Sequence, residues 1–456
     1  MSNSRYYVRP FDYLTDRLDF HYSSPYFDEI KMFREKANVV PFKKFVLPHG
    51  IDYGLTASGK DDGKIRFINT ENILADGTID DTGIMFVDEC PLRLLLEEND
   101  VLITRSRKTG FCGVVTQKFE NATYGSYLIR FRIATNLLDP FFLAEFFNSK
   151  LGKLQTDLLK TGSSGENINS EQLSDVRLPN LDIDVQKEIL KRIRPIKNKI
   201  VEIQSEEQKA INERDVEFRN FLGVRNFQVK ELGYYSAPLS LDRLDFVYSN
   251  PKYHVLEEIV RESRFTFVEI GAHVKFHYET INPTKEPEKE YEYIDIGNID
   301  TKLGRTFPTK MLGKEMTSSR MRRLVRKGHV LISTTRPTRK AIAIVPEELD
   351  NQICSTGFAA AECDEKLLND FLFYFLRTDI AKLQFERLCS GSGYPAINQE
   401  KDLPKFNIPL PLIEEQKQIV EKMRKIDLKI EELSEMVTRK EKEKEELFIS
   451  LISQKS

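Results

Sequence analysis

The chain of 456 residues carries 68 Lys and Arg against 71 Asp and Glu, and its net charge of −3 excludes a globally basic protein. Any binding to nucleic acid must therefore use local basic surface. The first residues lack the apolar segment of a signal peptide, and no apolar run approaches the ~20 residues that span a bilayer. We therefore expect a soluble, cytoplasmic chain that contacts no membrane.

The same phrases occur twice in the sequence, about 226 to 230 residues apart. A period this long is not a solenoid repeat, which takes roughly 20 to 50 residues. It indicates one domain plus a connecting element that has been duplicated. Two related domains suit a partner with two sites, such as DNA with two half-sites. The repeated phrases are, in pairs, Arg17–Pro25 and Arg243–Pro251, Gly162-Ser163 and Gly391-Ser392, and Gln186-Lys187 and Gln416-Lys417.

Each half contains short runs that predict strands, followed by a predicted helix. Asp100–Thr104 and His329–Ser333 are matching runs, and their β-branched residues between turns are typical of buried strands. One helix is predicted at about 139–160 and its counterpart at about 368–388, because apolar residues recur there at spacings of three and four. A Gly/Ser loop and a Leu/Pro-rich exit strand complete each domain.

Each half ends in a long charged helix whose apolar residues alternate by four and three, which is a heptad pattern. At ~1.5 Å per residue, about 36 to 40 residues form a rod of roughly 55–60 Å. The two apolar seams are in the same register, so the two helices can bury them against each other. The seam residues are Ile189, Ile193, Ile196, Ile200 and Ile203 in the first helix, and Ile419, Met423, Ile426, Ile430, Leu433 and Val437 in the second.

Two features disturb these helices. Pro195 should kink the first helix or force a late start, since an interior proline costs ~3 kcal/mol. Beyond Ile203 the seam becomes mixed, with Glu207 and Arg214 at seam positions, and the same change follows Val437. The sequence therefore defines the far part of the helix pair, beyond Ile203 and Val437, less well, or this part pairs with another protein.

With these parts in this order, the sequence resembles the DNA-specificity subunit of a type I restriction-modification system over nearly its whole length. The resemblance rests on the phrase Asn99–Ser106, on the Gly-Ser … Ile-Asn loops that end at Asn169 and Asn398, and on Gln-Lys-x-Ile at each long helix. It implies an α+β fold. Two duplicated mixed α/β target-recognition domains would be separated by a long antiparallel two-helix coiled coil with pseudo-two-fold symmetry.

The resemblance also implies boundaries for the two domains and the two long helices. Residues 1–182 would form the first target-recognition domain, 183–222 the first conserved helix, 223–411 the second domain and 412–453 the second helix. One departure from the family concerns Ser333–Pro337, where a glycine-containing turn is usual. It affects the geometry of the second reading loop.

The function that the resemblance implies is the recognition of a bipartite double-stranded DNA target, one part by each domain. The helices would set the spacer and dock two DNA adenine methyltransferase subunits, which would hold S-adenosylmethionine. Motor-nuclease subunits would use ATP and Mg. This chain is expected to hold no cofactor and no catalytic residue, because its sequence shows no Gly-rich cofactor loop and no nuclease or hydrolase constellation.

Candidate DNA-contacting residues come from local basic charge. The stretch Arg305–Lys340 holds eleven Lys or Arg and one Glu, a local net charge of +10. Such density favours phosphate contact through counterion release, although a charge run is often just a solvated face. In the first half, the turn after Asp100–Thr104 carries arginines that can reach guanine O6 and N7. The candidates are Arg105, Arg107, Lys108, Arg320, Arg322, Arg323, Arg336, Arg339 and Lys340.

No metal site is expected. The five cysteines are dispersed and form no CxxC pair, which argues against a zinc ribbon and a disulfide framework. His273 and His277 have the HxxxH spacing of zinc ligands, but no glutamate follows His273 and the surrounding sequence is strand-like.

Other interpretations stay open at this point. The chain could be a coiled-coil scaffold that joins proteins without reading DNA, or the specificity part of a type II-like methyltransferase-nuclease. The basic tract and the divergence of the two domains count against the scaffold. A stand-alone methyltransferase or nuclease is disfavoured by the missing cofactor loop.

Overall fold

The computed structural model describes residues 33, 38–106, 108–160, 167–227, 248–391 and 395–455. The chain forms two compact units, one made of Met1–Val201 with Thr438–Ser456 and the other of Glu202–Val437. Each unit therefore combines one domain with a part of both long helices. The repeated phrase Arg17–Pro25 and most of Arg243–Pro251 lie outside the described residues.

The first unit contains nine described strands and three short helices ahead of the first long helix. The strands are β1 (Val39–Pro41), β2 (Val46–Tyr53), β3 (Ile65–Ile68), β4 (Met85–Val87), β5 (Val101–Thr104), β6 (Cys112–Val114), β7 (Thr123–Tyr124), β8 (Leu128–Ile133) and β9 (Arg177–Pro179). The helices are α1 (Pro140–Asn148), α2 (Lys150–Leu159), α3 (Ser170–Ser174) and the long α4 (Ile183–Leu222).

The second unit repeats this order within its described residues. Its strands are β10 (Phe267–Glu269), β11 (Val274–His277), β12 (Glu290–Ile294), β13 (Ile299–Asp300), β14 (Arg305–Thr306), β15 (Thr309–Leu312), β16 (Met321–Leu324), β17 (Val330–Ser333), β18 (Ile342–Ile344), β19 (Ile353–Ser355), β20 (Phe358–Cys363) and β21 (Asn407–Pro409). Its helices are α5 (His254–Glu262), α6 (Asn369–Leu376), α7 (Asp379–Leu388) and the long α8 (Ile413–Lys455).

Both units are built on the same four-stranded antiparallel sheet, in the order β2-β8-β5-β6 in the first unit and β11-β20-β17-β18 in the second. The registers agree as well, since Val101 lies opposite Phe131 and Val330 lies opposite Ala361. A second sheet follows in each unit, β4-β3-β7 and β15-β12-β19-β16. The α+β class and the duplication inferred from the sequence are therefore confirmed.

One inner strand of each four-stranded sheet, β5 in the first unit and β17 in the second, is buried on both faces. All four residues of β5 and all four of β17 are buried. In the first unit Val101 and Ile103 pack with Phe142 and Phe146 of α1, whereas Leu102 belongs to a separate cluster on the other face. Helix α1 and the second sheet therefore cover opposite faces of the four-stranded sheet.

The helices predicted at about 139–160 and 368–388 are each split in two, into α1 and α2 and into α6 and α7. Ser149 and Thr378 adopt extended backbone at the break, and each side chain accepts a hydrogen bond from the backbone N–H three residues later. Ser and Thr are favoured N-cap residues because they satisfy such donors. The apolar stripe continues across both breaks, so its periodicity did not reveal them.

The first long helix begins at Ile183 and continues through Pro195, so a late start is ruled out. Proline removes the hydrogen bond to the carbonyl of residue i−4. Pro195 and Lys191 are both exposed, and water can therefore reach the carbonyl that loses its donor. Among the seam residues, Ile196 and Val437 are partly buried and the other nine are buried.

In the second unit the two long helices run antiparallel. Glu217 contacts Lys422, and Glu207, nearer the start of α4, contacts Ser434, further along α8. In the first unit the end of α8 lies beside the beginning of α4, since Lys455 pairs with Glu188 at 3.9 Å. The antiparallel direction predicted for the helices therefore holds within each unit.

The mixed part of the seam is satisfied inside the second unit. Glu207, 6% exposed, accepts a hydrogen bond from Nζ of Lys302 at 2.9 Å. Arg214, 7% exposed, donates to Asp427 and to the carbonyl of Lys302, both at 2.8 Å. The expectation that this stretch is less well defined or pairs with another protein does not hold for these two residues, because Lys302 of the second domain and Asp427 of α8 are their partners.

Every helix among the described residues is too short or too polar to cross a membrane.

We predict that Arg214→Ala lowers the free energy of unfolding by about 1–3 kcal/mol, because it removes a buried guanidinium with its hydrogen bonds to Asp427 and to the carbonyl of Lys302; Asp427 keeps Arg377 as a second partner at 3.6 Å. The chain has no tryptophan, so far-ultraviolet circular dichroism in urea is the suitable measurement. Lys425→Ala is the control, since Lys425 and Glu421 are both 72% exposed and such pairs contribute about 0–1 kcal/mol. Equal losses from the two variants would contradict the buried pair's importance.

Candidate nucleic-acid interface

The turns that follow the central strands β5 and β17 lie beside the Ile-Asn loops in both units. We name residues 105–110 and 334–340 the reading turns, and residues 167–170 and 395–399 the Ile-Asn segments. The carbonyl oxygen of Arg105 accepts from the backbone N–H of Ile168 at 3.0 Å, and that of Thr334 accepts from Ile397 at 2.9 Å. Two phrases far apart in sequence therefore form one surface in each unit.

A tyrosine at the end of the first strand of each sheet holds this surface together. The hydroxyl of Tyr53 donates to Oγ of Ser170 at 3.2 Å and accepts from its backbone N–H at 3.0 Å. The hydroxyl of Tyr278, which directly follows β11, donates to the carbonyl of Gln399 at 3.0 Å. Ser170 and Gln399 belong to the Ile-Asn segments, so the two tyrosines have the same structural role.

An arginine lies over each tyrosine ring, but the two arginines come from different elements. The guanidinium carbon of Arg105 in the first reading turn lies 4.9 Å from the centre of the Tyr53 ring. Over Tyr278 the guanidinium, at 5.0 Å, belongs to Arg323 of β16. Arginine over an aromatic face is a favourable cation–π contact of about 0.5–2 kcal/mol. The equivalent of Arg105 in the second unit is Thr334.

Arg323 is part of the protein framework. It is 6% exposed and donates to the carbonyl of Phe358 at 2.7 Å and to Oε1 of Gln399 at 3.0 Å. Burial lowers the pKa of its guanidinium. A contact between Arg323 and DNA, as the sequence suggested, would require it to leave these partners. Arg105 is only half-buried, and its Nε makes no hydrogen bond to the described residues.

The turn without glycine is closed by a lysine in the left-handed conformation. Gly110 precedes β6 with φ of 84°, and Lys340 precedes the equivalent strand β18 with φ of 57°. The ammonium of Lys340 lies 2.9 Å from Asp379 and 3.9 Å from Asp215, and burial raises the pKa of Asp215. The departure at Ser333–Pro337 thus leaves the fold intact and draws Lys340 toward two carboxylates.

The remaining candidates differ in exposure. Arg320 and Arg339 are exposed, and Arg322 and Arg336 are half-buried. The backbone N–H of Arg336 donates to the carbonyl of Pro395 at 2.7 Å, which places it beside the Ile-Asn segment. Lys108 is exposed and pairs with Glu71 at 3.2 Å. Arg107, Gly162-Ser163 and Ser392 lie outside the described residues.

The basic tract does not form one positive surface. Six of its eleven cations pair with carboxylates that the fold brings from other segments, which reduces the local charge of +10 that the sequence indicates. The pairs are Arg305–Glu431 (2.5 Å), Lys310–Glu290 (3.3 Å), Lys314–Glu288 (3.2 Å), Arg326–Glu279 (3.8 Å), Lys327–Glu347 (2.9 Å) and Lys340–Asp379 (2.9 Å).

The sequence does not reveal the aromatic residues of this surface. Tyr53 and Tyr278 are separated by nearly the same interval as the other repeated residues, but their neighbours differ and no phrase marks them. Tyr127 is 52% exposed, and its carbonyl accepts from the N–H of Arg105 at 2.9 Å. Gly357 has the equivalent position beside Thr334. The two units therefore present different side chains on the same framework.

Substitution of the left-handed residues Gly110 and Lys340 should affect the stability of the protein differently. We predict that Gly110→Ala destabilises the protein by about 1–2 kcal/mol, the usual cost of left-handed backbone for a residue with a Cβ; its Cβ would also lie 2.6 Å from Oγ1 of Thr156. Lys340→Gly should be within about 1 kcal/mol of the parent, because relief of this strain offsets the loss of the partly buried pairs of Lys340 with Asp379 and Asp215. Urea unfolding measures both changes, and destabilisation by Lys340→Gly as large as that by Gly110→Ala would contradict this account.

Comparison with known proteins supplies the family. The model of the type I restriction modification DNA specificity domain matches twice, at residues 55–213 and 274–439. The putative type I restriction enzyme MjaX specificity subunit of Methanocaldococcus jannaschii is 25% identical over 407 residues, which cover 86% of this chain and 86% of that protein.

Two solved structures are also similar. The HsdS subunit from Thermoanaerobacter tengcongensis is 16% identical with a TM-score of 0.33, and the match covers 91% of this chain and 95% of that chain. The type I restriction-modification S subunit from M. genitalium is 13% identical with a TM-score of 0.37, covering 91% and 96%. Because the family model matches more than half of the chain, once in each half, this chain belongs to the type I restriction modification DNA specificity family.

Proposed function

We propose that this chain is the DNA-reading subunit of a type I restriction-modification complex, and that each unit reads one part of a bipartite double-stranded target. The observation that carries the proposal is the repeated interface. The same tyrosine, reading turn and Ile-Asn segment come together in both units through matching hydrogen bonds.

Differences between equivalent positions support separate base preferences. Arg105 corresponds to Thr334, and Tyr127 corresponds to Gly357, while the sheets beneath them keep one register. Base edges are read by side chains, and a fixed backbone can therefore present different specificities. A scaffold that only joined proteins would have no need of this divergence. The family match over both halves favours DNA reading as well.

The proposal extends to partners and cofactors. Two DNA adenine methyltransferase subunits would hold S-adenosylmethionine and modify the target, and motor-nuclease subunits would use ATP and Mg for translocation and cleavage. This chain would direct them without catalysing a reaction. It would itself hold none of these three cofactors.

The first functional prediction concerns the half-sites, and the complex with methyltransferase subunits is the material. Arg105→Ala should weaken binding through the first part of the target, and Arg339→Ala through the second, each by about 1–3 kcal/mol, or roughly 5- to 150-fold in Kd. Binding is measured by competition with DNA altered in one part at a time. Loss of a base contact relaxes discrimination at one position, whereas loss of a phosphate contact weakens all sequences alike.

Lys327→Ala is the matched control for Arg339→Ala. Lys327 belongs to the same basic tract but pairs with Glu347 at 2.9 Å. We expect it to change Kd by less than about threefold, since Glu347 already balances the charge of Lys327 and reduces its attraction for phosphate. Equal effects of Arg105→Ala and Arg339→Ala on both parts of the target would show that the reading surfaces lie elsewhere.

The second functional prediction concerns the spacer. If the helix pair sets the spacer, a seven-residue insertion after Leu433 alone mismatches the seam and damages the fold. Matched insertions after Ile203 and Leu433 preserve the seam and lengthen the rod by ~10 Å, about three base pairs. Activity should fall, because three base pairs also rotate the second part by roughly 100°. Methylome mapping of an active matched variant should find unchanged half-sites. New half-site bases with the old spacer would contradict the idea that the helix pair sets the spacer length.

A further inference from the structure

Two histidines and one glutamate converge on one face of the second unit's sheet, and the function proposed above does not use them. His277 ends β11, Glu362 lies in β20, and His329 directly precedes β17. One possible ligand atom from each lies within 4.8 Å of the others. The sequence spacing of His273 and His277 did not indicate this group, because His273 pairs separately with Asp364 at 2.8 Å.

The geometry of the three side chains is compact. Nε2 of His277 lies 2.7 Å from Oε2 of Glu362. The rings of His277 and His329 are stacked, with centroids 4.6 Å apart. His329 is 5% exposed, whereas His277 and Glu362 reach solvent. The arrangement therefore has one buried ligand and two that are accessible.

The first unit provides an internal comparison, because the sheet registers identify the equivalent residues. Asp52 lies opposite Arg130 where His277 lies opposite Ala360. Asp52 forms an ion pair with Arg130, which is 2% exposed. Ala360 of the second unit corresponds to Arg130, so the second unit has no buried cation at this position.

The neighbouring pair differs in the same way. Val101 lies opposite Phe131 in the sheet. Asp100, which precedes Val101, forms an ion pair with Arg132, which follows Phe131, at 2.9 Å. The corresponding residues of the second unit are His329 and Glu362. The first unit thus neutralises its carboxylates with its own arginines. The second unit places two imidazoles and a carboxylate there instead.

Space and protonation state both suit a bound cation. A cavity of about 300 Å³ adjoins the group; besides His277, His329 and Glu362, its polar and charged lining residues are Glu279, Arg326, Lys327 and Asn369. Burial, followed by the charge of His277, lowers the pKa of His329. Neutral imidazole is the form that binds a metal ion.

We propose that His277, His329 and Glu362 bind one divalent transition-metal ion of the Zn²⁺, Co²⁺ and Ni²⁺ class. Imidazole nitrogens with one carboxylate oxygen suit these ions, and the cavity leaves room for water at the remaining positions. The ion would cross-link β11, β17 and β20 and replace the close contact between His277 and Glu362. Its role would be structural support for the second unit.

Three features oppose binding and lower the expected affinity. The cations Arg326 and Lys327 line the same cavity. The stacked rings of His277 and His329 must rotate before both can direct a nitrogen at one ion. His329 also makes a hydrogen bond. The backbone N–H of Arg326 donates to Nδ1 of His329 at 3.2 Å. A ligating histidine normally donates from its other ring nitrogen, so metal binding must displace this long hydrogen bond. We therefore expect a micromolar Kd.

The test uses the untagged full-length chain after removal of metals with a chelator. Titration with Co²⁺, followed by visible absorption and by calorimetry, should give one bound ion per chain and a raised Tm. Binding should weaken as pH falls, because protons compete for the imidazoles. His277→Gln and His329→Gln should each weaken it at least tenfold, since loss of even an outer-shell partner of a metal ligand costs about 10–100-fold in affinity.

His273→Gln is the matched control, since it removes a histidine of the same strand region that pairs with Asp364. It should bind Co²⁺ like the parent. Because His329 is buried, circular dichroism must show that its variant is folded; His277→Gln, at a partly exposed position, keeps the test valid if it is not. No saturable binding at about 100 µM Co²⁺, far above the expected Kd, would overturn the site, as would equal affinities of His277→Gln and the parent.

Discussion

Burial of β5 and β17 on both faces constrains the rest of each unit. Successive residues of a strand point to opposite faces, and a shift of one residue would move every apolar side chain to the wrong cluster. Val101 and Ile103 face α1 while Leu102 faces the second sheet. This fixes the register of the ladder and hence the point at which the chain leaves the sheet. The reading turn begins at that point, so its position follows from packing in the core.

On this framework the two units have diverged at the surface and in places beneath it. Each has a tyrosine that holds the Ile-Asn segment and an arginine over the ring, but the arginine comes from the turn in one unit and from β16 in the other. The ion pairs of Asp52 and Asp100 with arginines are replaced by the histidine and glutamate group. Such exchanges are tolerated because the backbone hydrogen bonds and the apolar clusters do not depend on them.

Two polar residues that interrupt the apolar seam of the long helices find their partners only in the folded structure. Glu207 and Arg214 interrupt the apolar seam, yet Lys302, Ser434 and Asp427 satisfy them. Buried charges are costly unless they are paired and hydrogen-bonded. These pairs also connect the helices to the second domain, since Lys302 lies in it. The rod and the domain of the second unit are therefore one packed structure.

The sequence by itself determined the duplication, the α+β class, the long helices and most of their seam, because these depend on repetition and on periodic apolar residues. It also placed the turn that carries Arg105. The breaks at Ser149 and Thr378 could not be found this way, since a capping hydrogen bond leaves the apolar stripe unchanged. The tertiary structure alone decided which cations remain available. Coulombic pairing depends on distance in space, and the carboxylates that pair with the Arg305–Lys340 tract come from other segments of the chain. For the same reason His277, His329 and Glu362, which are far apart in sequence, become neighbours only when the strands pair.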